Sequence, residues 1–184
     1  MDWGTLVATL SGAAIAIAGT VLADHLGGRR TAEQVRAQQR REVYIAFITA
    51  AGIAHSRLRQ LAQIAQDGPG GGDPDVASRA ALVEAGIYEV RERLFLDASH
   101  TVVGAGQAMF QGLRELRRVV AGGAALSSAA FHDAYHPYLD AVWHYRAAVR
   151  AELDTSALSL AVFGWNTWDG TDRCPLCRPD TVGT

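Results

Sequence analysis

The stretch from Trp3 to Ala23 contains no charged residue, and it restricts what this chain can form more than any other feature of the sequence. A helix rises ~1.5 Å per residue, so about 20 uncharged residues are enough to cross a hydrocarbon layer ~30 Å thick. We therefore predict that residues 1–28 form a transmembrane anchor in a lipid bilayer. A secretory signal peptide is the alternative, because Val21-Leu22-Ala23 has the small-residue pattern of a cleavage site.

The charges on either side of this stretch predict its orientation. Only Asp2 precedes it, and the arginines that soon follow it are Arg29, Arg30, Arg36, Arg40 and Arg41. Arginines close to a spanning segment stay on the cytoplasmic side. We predict a single-pass protein of the plasma membrane, with its N-terminus outside and its C-terminal domain in the cytoplasm.

Small side chains recur at every fourth position of the uncharged stretch, at Ala8, Gly12, Ala16 and Thr20. This spacing places them on one helix face, where two such helices can approach closely. The pattern predicts a homodimer through this face. An alanine-rich helix also produces the spacing by chance, and the sequence does not separate the two interpretations.

The rest of the chain repeats apolar residues three and four positions apart, which is the pattern of packed helices. The first seam contains Tyr44, Phe47, Ala51, Ala54, Leu58, Leu61 and Ala65. Three later seams cover residues 80–94, 102–120 and 131–149, and no stretch alternates as a strand would. The glycines and prolines of the linker at residues 67–75 end the first helix.

Short connections at residues 97–99 and at Gly122-Gly123 favour antiparallel neighbours. We predict an all-α fold, in which the N-terminal transmembrane helix continues into an antiparallel four-helix bundle. The bundle covers residues 29–153 and lies in the cytoplasm, and residues 154–184 form an irregular C-terminal tail. Because such seams usually serve packing, we predict a membrane-anchored interaction or scaffold protein that binds another, unidentified protein.

Composition excludes some other functions. The formal net charge is −2, whereas proteins that bind nucleic acid usually have a basic field, so we predict no nucleic-acid partner. No serine, histidine and aspartate lie in a recognised nucleophile setting. We predict that the chain is not an enzyme and has no catalytic residue.

The fourth seam carries the residues His132, His136, Asp140 and His144, each four positions apart. Imidazole and carboxylate groups at this spacing share a helix face and can bind one metal ion. The pattern departs from a zincin motif, because an aspartate replaces the catalytic glutamate. Pro137 is expected to push His136 out of helical geometry. A polar face beside the core is the alternative interpretation.

The tail carries the most specific local motif, Cys174-Pro-Leu-Cys177. Two cysteines at this spacing form half of a zinc site or a redox-active dithiol. Zinc would need further ligands, for which His132, His136 and Asp140 are the candidates. A zinc-binding or thiol-redox-responsive protein is therefore the alternative function, and unligated thiols are the third interpretation. The apolar run before the motif, residues 158–168, either meets the membrane surface or covers the bundle core.

The residues Arg-Arg-Glu-Val-Tyr-Ile-Ala-Phe-Ile-Thr-Ala-Ala at positions 40–51 follow an uncharged helix and precede Arg150-Ala-Glu-Leu153. In this the chain resembles uncharacterised small actinobacterial single-pass membrane proteins, of the kind found in Streptomyces. The resemblance covers residues 1–153. It implies an anchor and a helical cytoplasmic domain, and it implies no activity. It does not extend to the cysteine motif.

Overall fold

A computed structural model describes residues 3–68, 72–153, 155–156 and 177, with backbone alone over residues 3–32. Every regular element in these ranges is a helix, which confirms the all-α prediction. The helices are α1 (Trp3–Asp67), α2 (Pro74–Glu84), α3 (Ile87–Asp97), α4 (His100–Ala121) and α5 (Ala129–Glu152).

The chain divides into two units, Met1–Arg40 and Arg41–Thr184. The described part of the first unit, residues 3–40, belongs to α1 and has described side chains only from residue 33 onward. The side chains proposed for dimerisation, Ala8, Gly12, Ala16 and Thr20, lie outside the described residues. The second unit holds the buried core.

The predicted membrane anchor requires a correction. Among the helices of the described part of the chain, none is long and apolar enough to cross a membrane. This finding contradicts the predicted single-pass location in the plasma membrane and the transmembrane helix of the predicted fold. A stretch without charged residues is not necessarily apolar enough to enter a membrane. Thirteen of the 21 residues from Trp3 to Ala23 are alanine, glycine, serine or threonine, whereas leucine, isoleucine, valine and phenylalanine favour insertion most.

The second predicted helix is two helices. α2 begins after Asp73, whose side chain accepts a hydrogen bond from the Asp75 amide at 2.9 Å. It ends at Glu84, and α3 starts after Gly86, which has a φ of 66°. This left-handed conformation is easily adopted only by glycine. The apolar spacing continues across the break, so the seam alone did not reveal it.

The second half of α1 packs antiparallel to α5 in the second unit. Three carbonyls of α1 accept hydrogen bonds from residues later in the chain. The order of these donors along the sequence is the reverse of the order of the carbonyls. These hydrogen bonds join Tyr145 to Tyr44, Tyr138 to Ala51, and the amide of Leu126 to Ala62, at 3.2, 3.3 and 3.0 Å. Of the α1 seam predicted from Tyr44 to Ala65, the residues up to Leu58 are buried, Leu61 is partly buried and Ala65 is exposed.

Helix α4 approaches α5 closely because glycine occupies two of the contact positions. A Cβ atom at Gly112 would lie 3.1 Å from the Cα of Tyr138, and one at Gly106 would contact Phe47 and Tyr145. Residues 106 and 112 thus face residues 145 and 138, so α4 and α5 run antiparallel. This packing fixes the face of α5 that carries its histidines.

Candidate metal centre

The first half of α5 positions two histidines one helical turn apart. Its N-terminus is capped by Ser128, whose hydroxyl accepts a hydrogen bond from the Phe131 amide at 3.2 Å. Phe131 and Tyr138 are buried in the core. His132 and His136 lie on the adjacent side and are also buried, with 7% and 8% of their surface exposed. Core packing therefore holds the backbone that carries both imidazoles.

Pro137 lies inside α5, and the helix continues through it. The expectation that proline would displace His136 is therefore wrong. The Nδ1 atom of His132 and the Nε2 atom of His136 lie 3.4 Å apart, and their rings are inclined by 72°. Buried contacts on both sides, at Phe131 and Tyr138, hold the helix where proline removes one backbone donor.

The separation of these two nitrogens suits metal binding. Hydrogen bonds from N–H donors usually span about 2.7–3.2 Å, so 3.4 Å is long for one. Two nitrogens at ~2.0–2.1 Å from a tetrahedral zinc ion lie roughly 3.3 Å apart. The distance between these two nitrogens is therefore close to the length of one edge of a zinc tetrahedron.

Cys177 completes a three-residue cluster, although it lies about forty residues after His136 in the sequence. Its Sγ atom and one nitrogen from each of His132 and His136 all lie within 4.8 Å of one another. Cys177 itself is exposed. Thiolate sulfur and imidazole nitrogen are the ligands that zinc takes most often in structural sites. The cluster thus has the donor set of a zinc site.

Three of the five predicted ligands lie close together in the structure. It brings His132, His136 and Cys177 together. Asp140 instead faces His144, with 3.3 Å between Oδ2 and Nδ1, and both side chains are about half exposed or more. Cys174 lies outside the described residues. Successive steps of four residues advance about 40° around a helix, so the later members of the series leave the side of α5 that His132 occupies.

A third histidine beside the core was not predicted as a functional residue. The ring of His55 in α1 stacks on that of Tyr135 with 5.4 Å between centroids, and lies 5.2 Å from that of Tyr138. Its Nε2 atom is buried and has no hydrogen-bond partner among the described residues. Burial, with a smaller effect from Arg59, lowers the pKa of His55 to about 4. The sequence did indicate a position beside the core, since His55 lies one helical turn after the seam residue Ala51.

The phenol of Tyr138 joins this aromatic group to α1. Burial raises the pKa of Tyr138 above its ordinary value, so the hydroxyl stays protonated and donates to the Ala51 carbonyl at 3.3 Å. Tyr135 contacts the rings of His132 and His136, and it receives the Arg59 guanidinium at 5.9 Å from its ring centroid. Aromatic rings therefore line the protein side of the cluster.

Comparisons with protein-family models, curated proteins and solved structures find no match for this chain. The resemblance to actinobacterial membrane proteins stays a prediction.

Proposed function

We propose that this chain is a zinc-binding helical protein in which His132, His136 and Cys177 hold the ion. The observation that supports this is the convergence within 4.8 Å of three ligand atoms, two from buried histidines of α5 and one from Cys177 in the tail. Cys174 is the proposed fourth ligand, because a Cys-x-x-Cys pair commonly supplies two of the four ligands of a structural site. A bound zinc ion would cross-link the tail to α5.

The proposed ligand set balances charge beside two buried imidazoles, those of His132 and His136. Two thiolates neutralise the two positive charges of the ion, and the imidazoles bind in their neutral form. Four protein ligands leave no open position for water, which is typical of structural rather than catalytic zinc. The prediction that the chain is not an enzyme agrees with this proposal. Of the five predicted ligands, the proposed set keeps Cys174 and omits Asp140.

The finer architecture we propose is an antiparallel four-helix bundle within the second unit. Its members are the second half of α1, the α2–α3 pair, α4 and α5. The opposite chain order of the α1–α5 and α4–α5 contacts supports it. Arg117 of α4 pairs with Asp75 at the start of α2 at 3.0 Å, while Gly106 faces Leu94 of α3. These two contacts support an antiparallel α2–α3 and α4 pair.

Metal analysis of the reloaded protein tests the zinc proposal. Protein stripped with a chelator, incubated with Zn²⁺ and desalted should retain one zinc ion per chain. Cys177→Ser and His136→Ala should retain far less, because each removes a ligand. His144→Ala is the matched control, since His144 is on the same helix and pairs with Asp140 on its exposed side. Equal zinc in Cys177→Ser and the control would contradict the proposal.

A second proposal, an interaction module, is favoured by exposed apolar side chains on α3. Leu96 is 84% exposed, and Tyr88 and Phe95 are also exposed. The Arg91 guanidinium lies over the ring of Phe95 at 5.2 Å. Aromatic residues and arginine are enriched where proteins bind one another. Co-purification of one protein that Leu96→Glu loses and the exposed control Ile53→Glu keeps would support this function, whereas identical recovery would count against it.

A further inference from the structure

The three clustered ligands of the proposed zinc site differ in their access to solvent. His132 and His136 are 7% and 8% exposed, and Tyr135 contacts the rings of both. Cys177 is exposed, while its Sγ atom lies within 4.8 Å of one nitrogen of each imidazole. A reagent that arrives from water therefore reaches the sulfur more easily than either imidazole.

The exposed ligand is also the one that can be oxidised reversibly. Cysteine binds a metal ion as its thiolate, and the thiolate is the form that attacks hydroperoxides. The first product is a sulfenic acid, which thiols convert back to cysteine. The imidazoles of His132 and His136 have no corresponding reversible oxidation. Exposure and chemistry thus single out the same ligand, Cys177.

The histidine half of the site is held by contacts within the helical core. Ser128 caps α5 by accepting the Phe131 amide hydrogen bond at 3.2 Å, and Phe131 and Tyr138 are buried on either side of the pair. The Nδ1 atom of His132 and the Nε2 atom of His136 lie 3.4 Å apart. A change at Cys177 therefore leaves these two nitrogens in place, and zinc can bind again once the thiolate is restored.

We propose that Cys177 makes the zinc site responsive to hydroperoxides, which oxidise this ligand and so release the ion. The inference rests on the proposed function, because zinc must first be bound. The Sγ atom attacks one oxygen of hydrogen peroxide, so that an S–O bond forms, the O–O bond breaks and hydroxide leaves. Sulfur loses two electrons and the peroxide gains them. The sulfenic acid lacks the negative charge with which the thiolate bound zinc.

The reverse reaction needs only a thiol. Two thiol molecules reduce the sulfenic acid to the cysteine thiol, and they form one disulfide and one water molecule. The site then regains its sulfur ligand beside the two histidines.

Peroxide treatment of the zinc-loaded full chain tests this response. Hydrogen peroxide should raise the rate of zinc release, followed with a zinc-binding dye, at least about tenfold over the untreated protein. Peptide mapping in the presence of dimedone should find Cys177 oxidised in step with the release, as the dimedone adduct or as a disulfide with Cys174. In a sample without dimedone, dithiothreitol followed by Zn²⁺ should restore the bound zinc.

Replacing the sulfur by another zinc ligand gives the matched variant. Cys177→His should still bind zinc, because imidazole is a zinc ligand, and should release it under peroxide at no more than about a tenth of the wild-type rate. His144→Ala keeps the thiolate and should release zinc as wild type does. If Cys177→His does not retain zinc, Cys177→Asp makes the same comparison with a carboxylate ligand. If neither retains zinc, the peptide mapping of wild type decides.

The outcomes separate this inference from the proposed zinc site. One zinc ion per chain that peroxide does not release would overturn the response and leave the zinc site standing. Release at the wild-type rate from Cys177→His, or release while Cys177 stays a thiol, would also overturn it, because another group would then be the target. Failure of the untreated protein to bind zinc would overturn the proposed function, and this inference with it.

Discussion

The imidazole of His55 makes the stability of this protein depend on pH. It is enclosed by Tyr135 and Tyr138, and burial lowers its pKa to about 4, from an ordinary value near 6.5. Between these values the unfolded chain binds a proton that the folded chain does not. As far as His55 determines it, the free energy of unfolding is therefore highest above pH ~6.5. It falls by an amount on the order of 3 kcal/mol as the pH decreases to ~4.

Replacing this group by a ring that cannot ionise should remove the dependence. We expect His55→Phe to show a flatter profile of unfolding free energy between pH 4 and 7 than wild type, because the stacked ring is kept and the proton site is lost. Urea denaturation in EDTA-containing buffer measures the profile, and the chelator keeps metal binding out of the comparison. His144→Phe, at an exposed position, is the control. A steep profile retained in His55→Phe would show that other groups cause it.

The residues of the metal cluster were only partly predictable from the sequence. His132 and His136 could be paired because helical spacing places them on one face. Asp140 was predicted as a ligand by the same spacing rule. Over several turns the positions rotate around the helix, and this rotation separates the side chain of Asp140 from that of His132. The approach of Cys177 to these histidines could not be derived, because no local pattern fixes where a tail returns along a fold.

At the scale of helices, the contact between α4 and α5 depends on the missing side chain of Gly112. A Cβ atom there would lie 3.1 Å from the Cα of Tyr138, so the two backbones would have to separate slightly. We expect Gly112→Ala to destabilise the protein by about 1–3 kcal/mol through overpacking. The matched control is Gly104→Ala in the same helix, where the new methyl group meets no atom within 4 Å. It should be stabilising by roughly 0.5–1 kcal/mol.

Thermal and urea unfolding of the two glycine variants measure the difference. Because Tyr138 follows His136 closely, Gly112→Ala should also weaken zinc retention more than Gly104→Ala does. Equal stabilities of the two variants would contradict the close approach of α4 to α5.

The start of α5 depends on the hydroxyl of Ser128. That oxygen accepts the Phe131 amide hydrogen bond and donates to the Ala125 carbonyl at 2.7 Å. Ser128→Ala should lower the free energy of unfolding by about 1 kcal/mol, as is typical for loss of an N-cap. Ser127→Ala, at the exposed neighbouring position, should change it little. Urea midpoints of the two variants decide the point, and a larger loss in Ser127→Ala would place the cap at the wrong serine.

Most helices could be predicted, and the exceptions have physical causes. Apolar spacing identified α4, α5 and the buried half of α1, because these helices bury one continuous side. The break between α2 and α3 escaped prediction, since it requires only that Gly86 adopt a φ of 66°. The prediction of a membrane anchor was wrong because it took an uncharged stretch rich in alanine, glycine and threonine to be strongly apolar.

For the molecule as a whole, we propose that one ion joins the helical core to Cys177 of the tail. The core forms from apolar packing alone, so the second unit should stay helical without metal. The proposed zinc site would cross-link Cys177 to His132 and His136 of α5. The proposed ion would thus join Cys177 to a helical core that forms without metal.

The most direct test of the zinc site is the absorption spectrum of the protein loaded with Co²⁺, which takes the place of zinc. Coordination by Cys177 with His132 and His136 predicts intense visible bands of a tetrahedral site and a near-ultraviolet charge-transfer band from thiolate to cobalt. The charge-transfer band should weaken in Cys177→Ser, and Zn²⁺ should displace it in wild type. A weak octahedral spectrum with no thiolate band would contradict the proposal that this cluster binds zinc.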